Sequence, residues 1–286
     1  MGSGIAQIAA QANYKVTILE TSSDAIDRAN KMIAGSLASV AKRAVKTGKA
    51  TEEQAAEENK ATMARILTSQ DMGALEDADL VIEAITENLD VKRSVFSKLN
   101  EAVKPEGIFA TNTSSFLVAD MADATGRPSQ FMCTHFFNPV PVMKLVECVR
   151  GEQTDAQVYQ RVIDWVASTG KVPVKAADTP GFIVNHLLLP PLALAVGMVE
   201  RGEAAVADID KAMQLGASHP MGPLTLGDYV GWDTILFVLQ GWKTAYPDRY
   251  DNPPALLEKM VAEGKLGRKS GSGFFKWEGN KVVGEA

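Results

Sequence analysis

Short apolar runs alternate with longer helical patterns over the first 178 residues of the chain. The apolar runs have the length of strands and lie at residues 15–20 (KVTILE), 78–85 (ADLVIEAI), 108–114 (IFATNTS), 131–137 (FMCTHFF) and 144–149 (KLVECV). A long helix is predicted from Ser23 to Lys46, and Thr51 with Gln54 forms a capping box that begins another. Strands that alternate with helices are typical of βαβ units, so the pattern predicts an α/β fold with a doubly wound, mostly parallel sheet.

The pattern changes after the segment Asp178–Thr179–Pro180–Gly181. Beyond it, apolar positions recur at helical spacing over residues 182–201, 206–215, 224–245 and 254–263. A Pro-Gly pair marks a break between elements. We therefore predict an α/β domain over residues 1–178 and an all-helical domain over residues 179–286.

The first ten residues, MGSGIAQIAA, predict a helix that begins at Gly2 with small residues in its first turns. This resembles the last glycine of the G-x-G-x-x-G loop in a Rossmann-like dinucleotide-binding fold, and the helix that follows it. The first strand and the first two glycines of that motif do not precede Gly2. We expect Met1 to be an internal methionine of a longer natural protein, which would supply the missing central strand.

Glu20 ends the next predicted strand, about 18 residues after Gly2. In a dinucleotide-binding fold, an acid at this place binds the ribose hydroxyls and repels the 2′-phosphate of NADP. Glu20 therefore favours NAD as the cofactor. The alternative is a surface acid that happens to end a strand.

Composition narrows the classes of partner. The net charge of −6 provides no field that would attract nucleic acid, and no apolar run reaches the 18 residues of a membrane span. The two cysteines, Cys133 and Cys148, lie in apolar runs and are predicted to be buried thiols in a reducing compartment. We expect no metal, no nucleic acid and no membrane partner, and a location in the cytoplasm, or in the mitochondrial matrix of a eukaryote.

His135 and Glu147 are the strongest candidates for chemistry. His135 lies at the end of the strand FMCTHFF, and Glu147 is a carboxylate inside the neutral run KLVECV. Antiparallel pairing of these two strands would bring the carboxylate against the imidazole, in an arrangement that orients the ring and stabilises its charged form. The alternative is an ordinary buried ion pair.

Other candidate polar residues lie after a predicted strand, inside an apolar helix and at the end of the long helix. Asn112 to Ser115 follow the strand IFAT, where Ser114 is suited to bind a reacting oxygen and Ser115 to cap a helix. Asn185 is an amide in an apolar helix and needs a polar partner. A basic cluster of Lys42, Arg43, Lys46 and Lys49 ends the long helix, and it is either a solvated face or a site for a phosphorylated ligand.

Six strings that appear in order give the chain a specific resemblance. They are EAITEN (83–88), NTSS (112–115), HFFNPVPVMKLVE (135–147), TPGFIVN (179–185), HPMGP (219–223) and LGRKSG (266–271). Together they closely resemble the L-3-hydroxyacyl-CoA dehydrogenases, including the 3-hydroxybutyryl-CoA type, from Met1 to about Phe275.

The resemblance implies NAD-dependent oxidation of L-3-hydroxyacyl-CoA to 3-oxoacyl-CoA, and the reverse, in fatty-acid metabolism. It implies that His135 is the catalytic base, that Glu147 is its partner and that Ser114 and Asn185 bind the reacting oxygen. It also implies cofactor contacts from Gly2, Glu20, Glu87, Lys92, Asn112, Ser114, Asn138 and Lys269. Ser36 and Arg43 would bind the CoA moiety, and the helical domain would bind substrate and form a homodimer.

Two positions depart from the family pattern: Glu20 stands where many relatives have Asp, and His186 stands where relatives have Arg. Two alternatives to the implied activity stay open. One is a dehydrogenase of a hydroxy acid that carries no CoA. The other is a non-catalytic relative, disabled by the missing part of the dinucleotide loop.

Overall fold

Seven strands and six helices make up the first of two units into which the computed structural model divides, residues 1–182. The model describes all 286 residues. The strands are β1 (Val16–Leu19), β2 (Ile66–Ser69), β3 (Leu80–Glu83), β4 (Ile108–Thr111), β5 (Phe131–Phe136), β6 (Leu145–Arg150) and β7 (Val172–Ala177). The helices are α1 (Gly2–Gln11), α2 (Ser23–Lys46), α3 (Glu52–Ala64), α4 (Leu89–Ala102), α5 (Ala119–Ala122) and α6 (Ala156–Ser168).

The strands form a sheet of five in the order β3-β4-β5-β6-β7 and a separate pair, β1-β2. Every pairing is parallel except that of β5 with β6. No strand of this chain lies hydrogen-bonded between β1 and β3. Helix α1 packs Ile5 and Ile8 into the same core as Leu80 and Ile82 of β3. The predicted α/β class with a mostly parallel sheet is confirmed, and so is the capping box of Thr51 and Gln54.

The second unit, residues 183–286, has its own core of aliphatic side chains and tryptophans. Its elements are α7 (Val184–Glu200), α8 (Val206–Gly216), α9 (Pro223–Val230), α10 (Trp232–Ala245), α11 (Ala255–Ala262), β8 (Phe275–Glu278) and β9 (Lys281–Glu285). None of the helices in either unit combines the length and the apolar character that a membrane crossing requires.

Two predictions for this second unit need correction. The single helix expected over residues 224–245 is two helices, because the chain turns at Gly231, whose φ of 106° is open to glycine but strained for other residues. The unit is also not all-helical, because β8 and β9 form a closing antiparallel hairpin. Side chains of β8 alternate between buried and exposed, a pattern too short to be distinguished in the sequence.

The buried carboxylate of Asp228 holds this hairpin against the helices. Its oxygens accept the backbone N–H groups of Phe274 and Phe275 and the indole N–H groups of Trp232 and Trp277. Gly273 lies so close that a Cβ there would approach the Asp228 carboxylate to 2.0 Å. The hairpin thus depends on a buried polar anchor, which a search for apolar periodicity does not detect.

In the first unit, Arg127 closes the C-terminal end of α4. Its guanidinium donates to the side chain of Asn100 and to four backbone carbonyls, at distances of 2.7–3.1 Å, and it stacks on Phe109. The carbonyls belong to Asn100, Val103, Lys104 and Gly107. The last carbonyls of a helix have no hydrogen-bond donor within the helix and carry partial negative charge. A guanidinium supplies both the donors and a positive charge.

We expect Arg127→Met to lower the free energy of unfolding by about 2–4 kcal/mol, because several buried carbonyls lose a charged donor. Urea denaturation measures the loss. Arg127→Lys is the matched control, since it keeps the charge but cannot reach all four carbonyls, and it should lose an intermediate amount. A methionine variant with the wild-type midpoint and slope would contradict this account of the helix end.

Candidate active site

Three neighbouring parallel strands end at one edge of the five-stranded sheet. Their last residues are Glu83 of β3, Thr111 of β4 and Phe136 of β5. In open parallel sheets, ligands bind outside the carboxyl ends of the strands. The loops that follow these strands are therefore the place to look for a site, and they contain Glu87, Asn112, Ser114 and Asn138.

The pairing of β5 with β6 sets His135 directly opposite Glu147. Residues opposite each other in an antiparallel pair present their side chains on the same face of the sheet. His135 Nδ1 and Glu147 Oε2 are 2.7 Å apart, and both side chains are buried. The predicted antiparallel contact is thus confirmed. A buried carboxylate without a partner is costly, so the imidazole and the carboxylate hold each other in place.

The second ring nitrogen of His135, Nε2, makes no hydrogen bond within the chain. The ring itself is confined by aromatic neighbours, with centroid distances of 4.5 Å to Phe137 and 5.7 Å to Phe182. A histidine that is fixed through Nδ1 and confined by aromatic rings has one nitrogen left for chemistry. This is the arrangement of an oriented base.

The loop after β4 is fastened to β5 on both sides of His135. The side-chain oxygen of Asn112 accepts the N–H of Phe136 at 2.9 Å, which continues the ladder after β4 ends. The thiol of Cys133 donates to the carbonyl of Thr113 at 3.6 Å. These two contacts position Ser114 relative to the strand that carries the histidine.

A cluster of ion pairs lies beyond the end of β3, with Glu83 and Lys92 buried and Glu87 partly exposed. Lys92 Nζ, on α4, is 2.7 Å from Glu83 Oε1 and 3.3 Å from Glu87 Oε2. The Glu87 carboxylate also accepts the hydroxyl of Thr113 at 3.0 Å and the N–H of Ser114 at 3.0 Å. Glu87 therefore contacts both Lys92 and Ser114, so three of the predicted cofactor residues are connected through it.

The two cysteines in this sheet are unsuited to chemistry. Both are fully buried and free, and burial raises the pKa of Cys148 to about 12 and raises the pKa of Cys133 well above its usual range. The thiolate is the reactive form, and it is not populated at such values near neutral pH. The prediction of buried, unpaired thiols is confirmed.

Comparison with known proteins decides the family. Residues 1–179 match the family model described as "3-hydroxyacyl-CoA dehydrogenase, NAD binding domain", and residues 181–277 match "3-hydroxyacyl-CoA dehydrogenase, C-terminal domain". The chain belongs to the 3-hydroxyacyl-CoA dehydrogenase family. Its first part is the NAD-binding domain of that family, so the predicted fold, cofactor and class of enzyme are confirmed.

Individual members of the family are similar over nearly the whole chain. The human mitochondrial hydroxyacyl-coenzyme A dehydrogenase is 42% identical over 97% of this chain and 88% of its own length. A 3-hydroxybutyryl-CoA dehydrogenase of Bradyrhizobium diazoefficiens is 41% identical, with coverage of 99% and 94%. The crystal structure of the (S)-3-hydroxybutyryl-CoA dehydrogenase of Ralstonia eutropha superposes with a TM-score of 0.90, at 38% identity and coverage of 97% and 95%.

The residues of this dehydrogenase fit a bound NAD. Helix α1 begins with no side-chain cap and no acid in its first turn, which leaves its N-terminus available to a phosphate. A Cβ at position 4 would lie only 2.8 Å from the side chain of Val140. Gly4, which has no Cβ, therefore allows α1 to lie close to the loop after β5. Glu20 follows β1, and its backbone N–H donates to the carbonyl of Ser69. Its carboxylate has no partner within the chain. An unpaired acid at this point is suited to ribose hydroxyls.

Other predicted residues lie elsewhere in the fold. Ser36 and Arg43 are seven residues apart on α2, which places them on one face of the helix, and Arg43 is exposed without an ion-pair partner. Asn138 is exposed in the loop after β5 and precedes a cis peptide bond to Pro139. In the second unit, Asn185 lies in the first turn of α7, and Lys269 pairs with Asp233 of α10.

His186, the position that departs from the family pattern, has a partner in the second unit. Its Nδ1 lies 2.9 Å from the hydroxyl of Tyr250, and its ring lies 6.3 Å from that of Trp242. Burial raises the pKa of the Tyr250 phenol. This contact gives the polar ring of His186 a partner within the second unit.

Sequence reasoning missed Glu83 and Thr113, which complete the ion-pair cluster. Glu83 lies inside the apolar run ADLVIEAI, and the argument that led to Glu147 applies to it unchanged: a carboxylate in an apolar strand needs a partner. Lys92, nine residues further on, is that partner.

Proposed function

We propose that this dehydrogenase oxidises the 3-hydroxyl group of an L-3-hydroxyacyl-CoA, with His135 as the catalytic base. The observation that carries the proposal is the buried pair of His135 and Glu147, with Nε2 of His135 unbonded at the carboxyl edge of the sheet. The Glu147 carboxylate accepts a hydrogen bond from the Nδ1–H group, which fixes the tautomer in which Nε2 bears a lone pair.

His135 takes the proton of the 3-hydroxyl through Nε2 while the C3–H bond breaks. Bound NAD supplies the hydride acceptor for that hydrogen. The carboxylate of Glu147 stabilises the imidazolium that results, and the same imidazolium returns the proton to oxygen when a 3-oxoacyl-CoA is reduced. Phe137 and Phe182 exclude water from the ring, which strengthens this interaction.

The hydroxyl of Ser114 donates to the oxygen at C3 as charge develops on it. Support comes from its place at the end of β4, in a loop bonded to β5 beside His135. The roles of Asn185 at the same oxygen, and of Asn138 and Lys269 at the nicotinamide end of the cofactor, rest on the resemblance to the family.

The CoA moiety binds along α2, where Ser36 and Arg43 share a face and three further cations, Lys42, Lys46 and Lys49, lie nearby. The chain is acidic overall, so a local cluster of cations is the feature that would attract the phosphates of CoA. This is what favours an acyl-CoA over a free hydroxy acid as the substrate.

The second unit forms a homodimer through apolar side chains that it leaves exposed. Leu187 and Leu194 on α7 are each 68% exposed, and Phe237 on α10 is 57% exposed. Large apolar side chains exposed to solvent are typical of subunit interfaces. We place the enzyme in the cytoplasm or the mitochondrial matrix, where its two unpaired cysteines would stay reduced.

His135→Gln should lower kcat by roughly 10²–10⁴-fold, the usual contribution of a positioned acid–base group, and leave the KM for NADH near that of the wild type. The assay follows the oxidation of NADH during the reduction of acetoacetyl-CoA. In the opposite direction, the rate of oxidation of 3-hydroxybutyryl-CoA is compared with that of free 3-hydroxybutyrate. Equal turnover of the CoA ester and the free acid would refute the substrate class. Absence of turnover in the wild type would indicate a non-catalytic relative.

Arg43→Glu should raise the KM for acyl-CoA and leave the KM for NADH unchanged, because it reverses one charge in the cluster on α2. Lys31→Glu is the matched control, since Lys31 is an exposed cation on a different face of the same helix, more than three turns from Arg43. Added salt should reduce the difference between the two variants, because exposed charges are screened within about 8–10 Å at ordinary ionic strength. Equal effects of both substitutions would show that the face of α2 has no role.

A further inference from the structure

Glu83 is a buried carboxylate that the proposed reaction does not use. Its side chain and that of its partner Lys92 are each only 1% exposed. An ion pair this deeply buried gains little stability over an apolar pair of the same volume, because both ions lose their hydration. Its presence beside the site therefore suggests a role other than stability.

Every oxygen of Glu83 is occupied. Oε1 accepts the ammonium of Lys92 at 2.7 Å and the backbone N–H of Ile85 at 2.7 Å, and Oε2 accepts the hydroxyl of Thr111 at 2.6 Å. Donors from a helix, a loop and the neighbouring strand thus converge on one carboxylate. The position of Lys92 is fixed from this side.

Lys92 lies between two carboxylates, and the second one reaches Ser114. Glu87 Oε2 lies 3.3 Å from the ammonium of Lys92, and Glu87 Oε1 accepts a hydrogen bond from the Ser114 N–H at 3.0 Å. The Ser114 hydroxyl is 3.5 Å from the same Oε1, the longest contact in the set. Glu87 therefore holds the backbone of Ser114 firmly and its hydroxyl weakly, which leaves the hydroxyl able to turn toward a ligand.

We propose that Glu83 is a positioning residue for Ser114 and acts through Lys92 and Glu87. The proposal rests on the role of Ser114 given above. The shorter contact of Lys92 to Glu83 keeps the ammonium from approaching Glu87 fully, so the Glu87 carboxylate remains available to the N–H of Ser114 and the hydroxyl of Thr113.

Removal of the charge on Glu83 changes this balance. Lys92 would then have one carboxylate in place of two, and it would move toward Glu87. The oxygens of Glu87 would turn from the loop to the ammonium, and the loop that carries Ser114 would lose its anchor. Small displacements of a group that contacts the reacting atoms cost far more in rate than in binding.

Glu83→Gln tests this with little change in shape. The amide oxygen can still accept hydrogen bonds from the N–H of Ile85 and the ammonium of Lys92. The amide nitrogen can donate to the Thr111 hydroxyl, because a hydroxyl oxygen can accept as well as donate. We expect kcat to fall roughly 10- to 100-fold. The KM values for acyl-CoA and NADH should stay near those of the wild type.

A double-mutant cycle with Ser114→Ala separates positioning from general destabilisation. If Glu83 acts through Ser114, adding Glu83→Gln to Ser114→Ala should lower kcat no further. Asp210→Asn is the matched control: Asp210 is a buried carboxylate of the second unit that accepts the N–H groups of Leu224 and Thr225. It should lower the melting temperature without lowering kcat.

The outcomes distinguish the two proposals. Wild-type kcat in Ser114→Ala would refute the role of Ser114, and this inference with it. A low kcat in Ser114→Ala together with wild-type kcat in Glu83→Gln, or with independent losses in the double variant, would refute only the role of Glu83. Should Glu83→Gln not fold, Glu83→Asp keeps the charge but withdraws the carboxylate from Lys92, and it should give a smaller loss of kcat that also vanishes in the Ser114→Ala background. A loss that persists there would overturn the inference.

Discussion

The contact between His135 and Glu147 depends on one antiparallel pairing in an otherwise parallel sheet. β5 pairs in parallel with β4 on one side and in the opposite direction with β6 on the other. The first pairing places the end of β5 beside the end of β4, and the second places Glu147 opposite the histidine. If β6 shifted by one residue, the carboxylate would point to the other face of the sheet, so register and chemistry are linked.

The rest of the site is built outward from that pairing. The loop after β4 is bonded to β5 by Asn112 and by Cys133, and the same loop is bonded to the loop after β3 by Glu87. The side chains of Asn112, Glu87 and Glu147 thus each have a partner from a different strand or loop. Buried polar networks of this kind specify one arrangement when every member is satisfied. The site is a property of the sheet edge as a whole and not of a single loop.

Much of this was accessible from the sequence, and the exceptions have physical reasons. The strands β1, β3, β4, β5 and β6 and the helix α2 follow from apolar periodicity, and the pairing of His135 with Glu147 follows from the cost of a buried carboxylate. The break at Gly231 and the hairpin at the C-terminus were missed, because each depends on one glycine or on the anchor Asp228 and not on periodicity.

Contacts between residues far apart in the chain were the least accessible. Glu83 and Thr111 are 28 residues apart, and nothing local indicates that their side chains meet; the register of β3 on β4 sets them opposite each other. Arg127 reaches the end of α4 in the same way, across about twenty residues of intervening chain. Such contacts become visible only when the order of the strands is known.

The central claim is that Glu147 fixes His135 as the tautomer protonated on Nδ1, with Nε2 free to act as a base. Nitrogen-15 NMR of the ring nitrogens tests this directly, with the signal of His135 assigned among the three histidines by its loss in His135→Gln. At a pH where the ring is neutral, we predict a protonated Nδ1 and an unprotonated Nε2. A proton on Nε2, or an equal mixture of the two tautomers, would contradict the account.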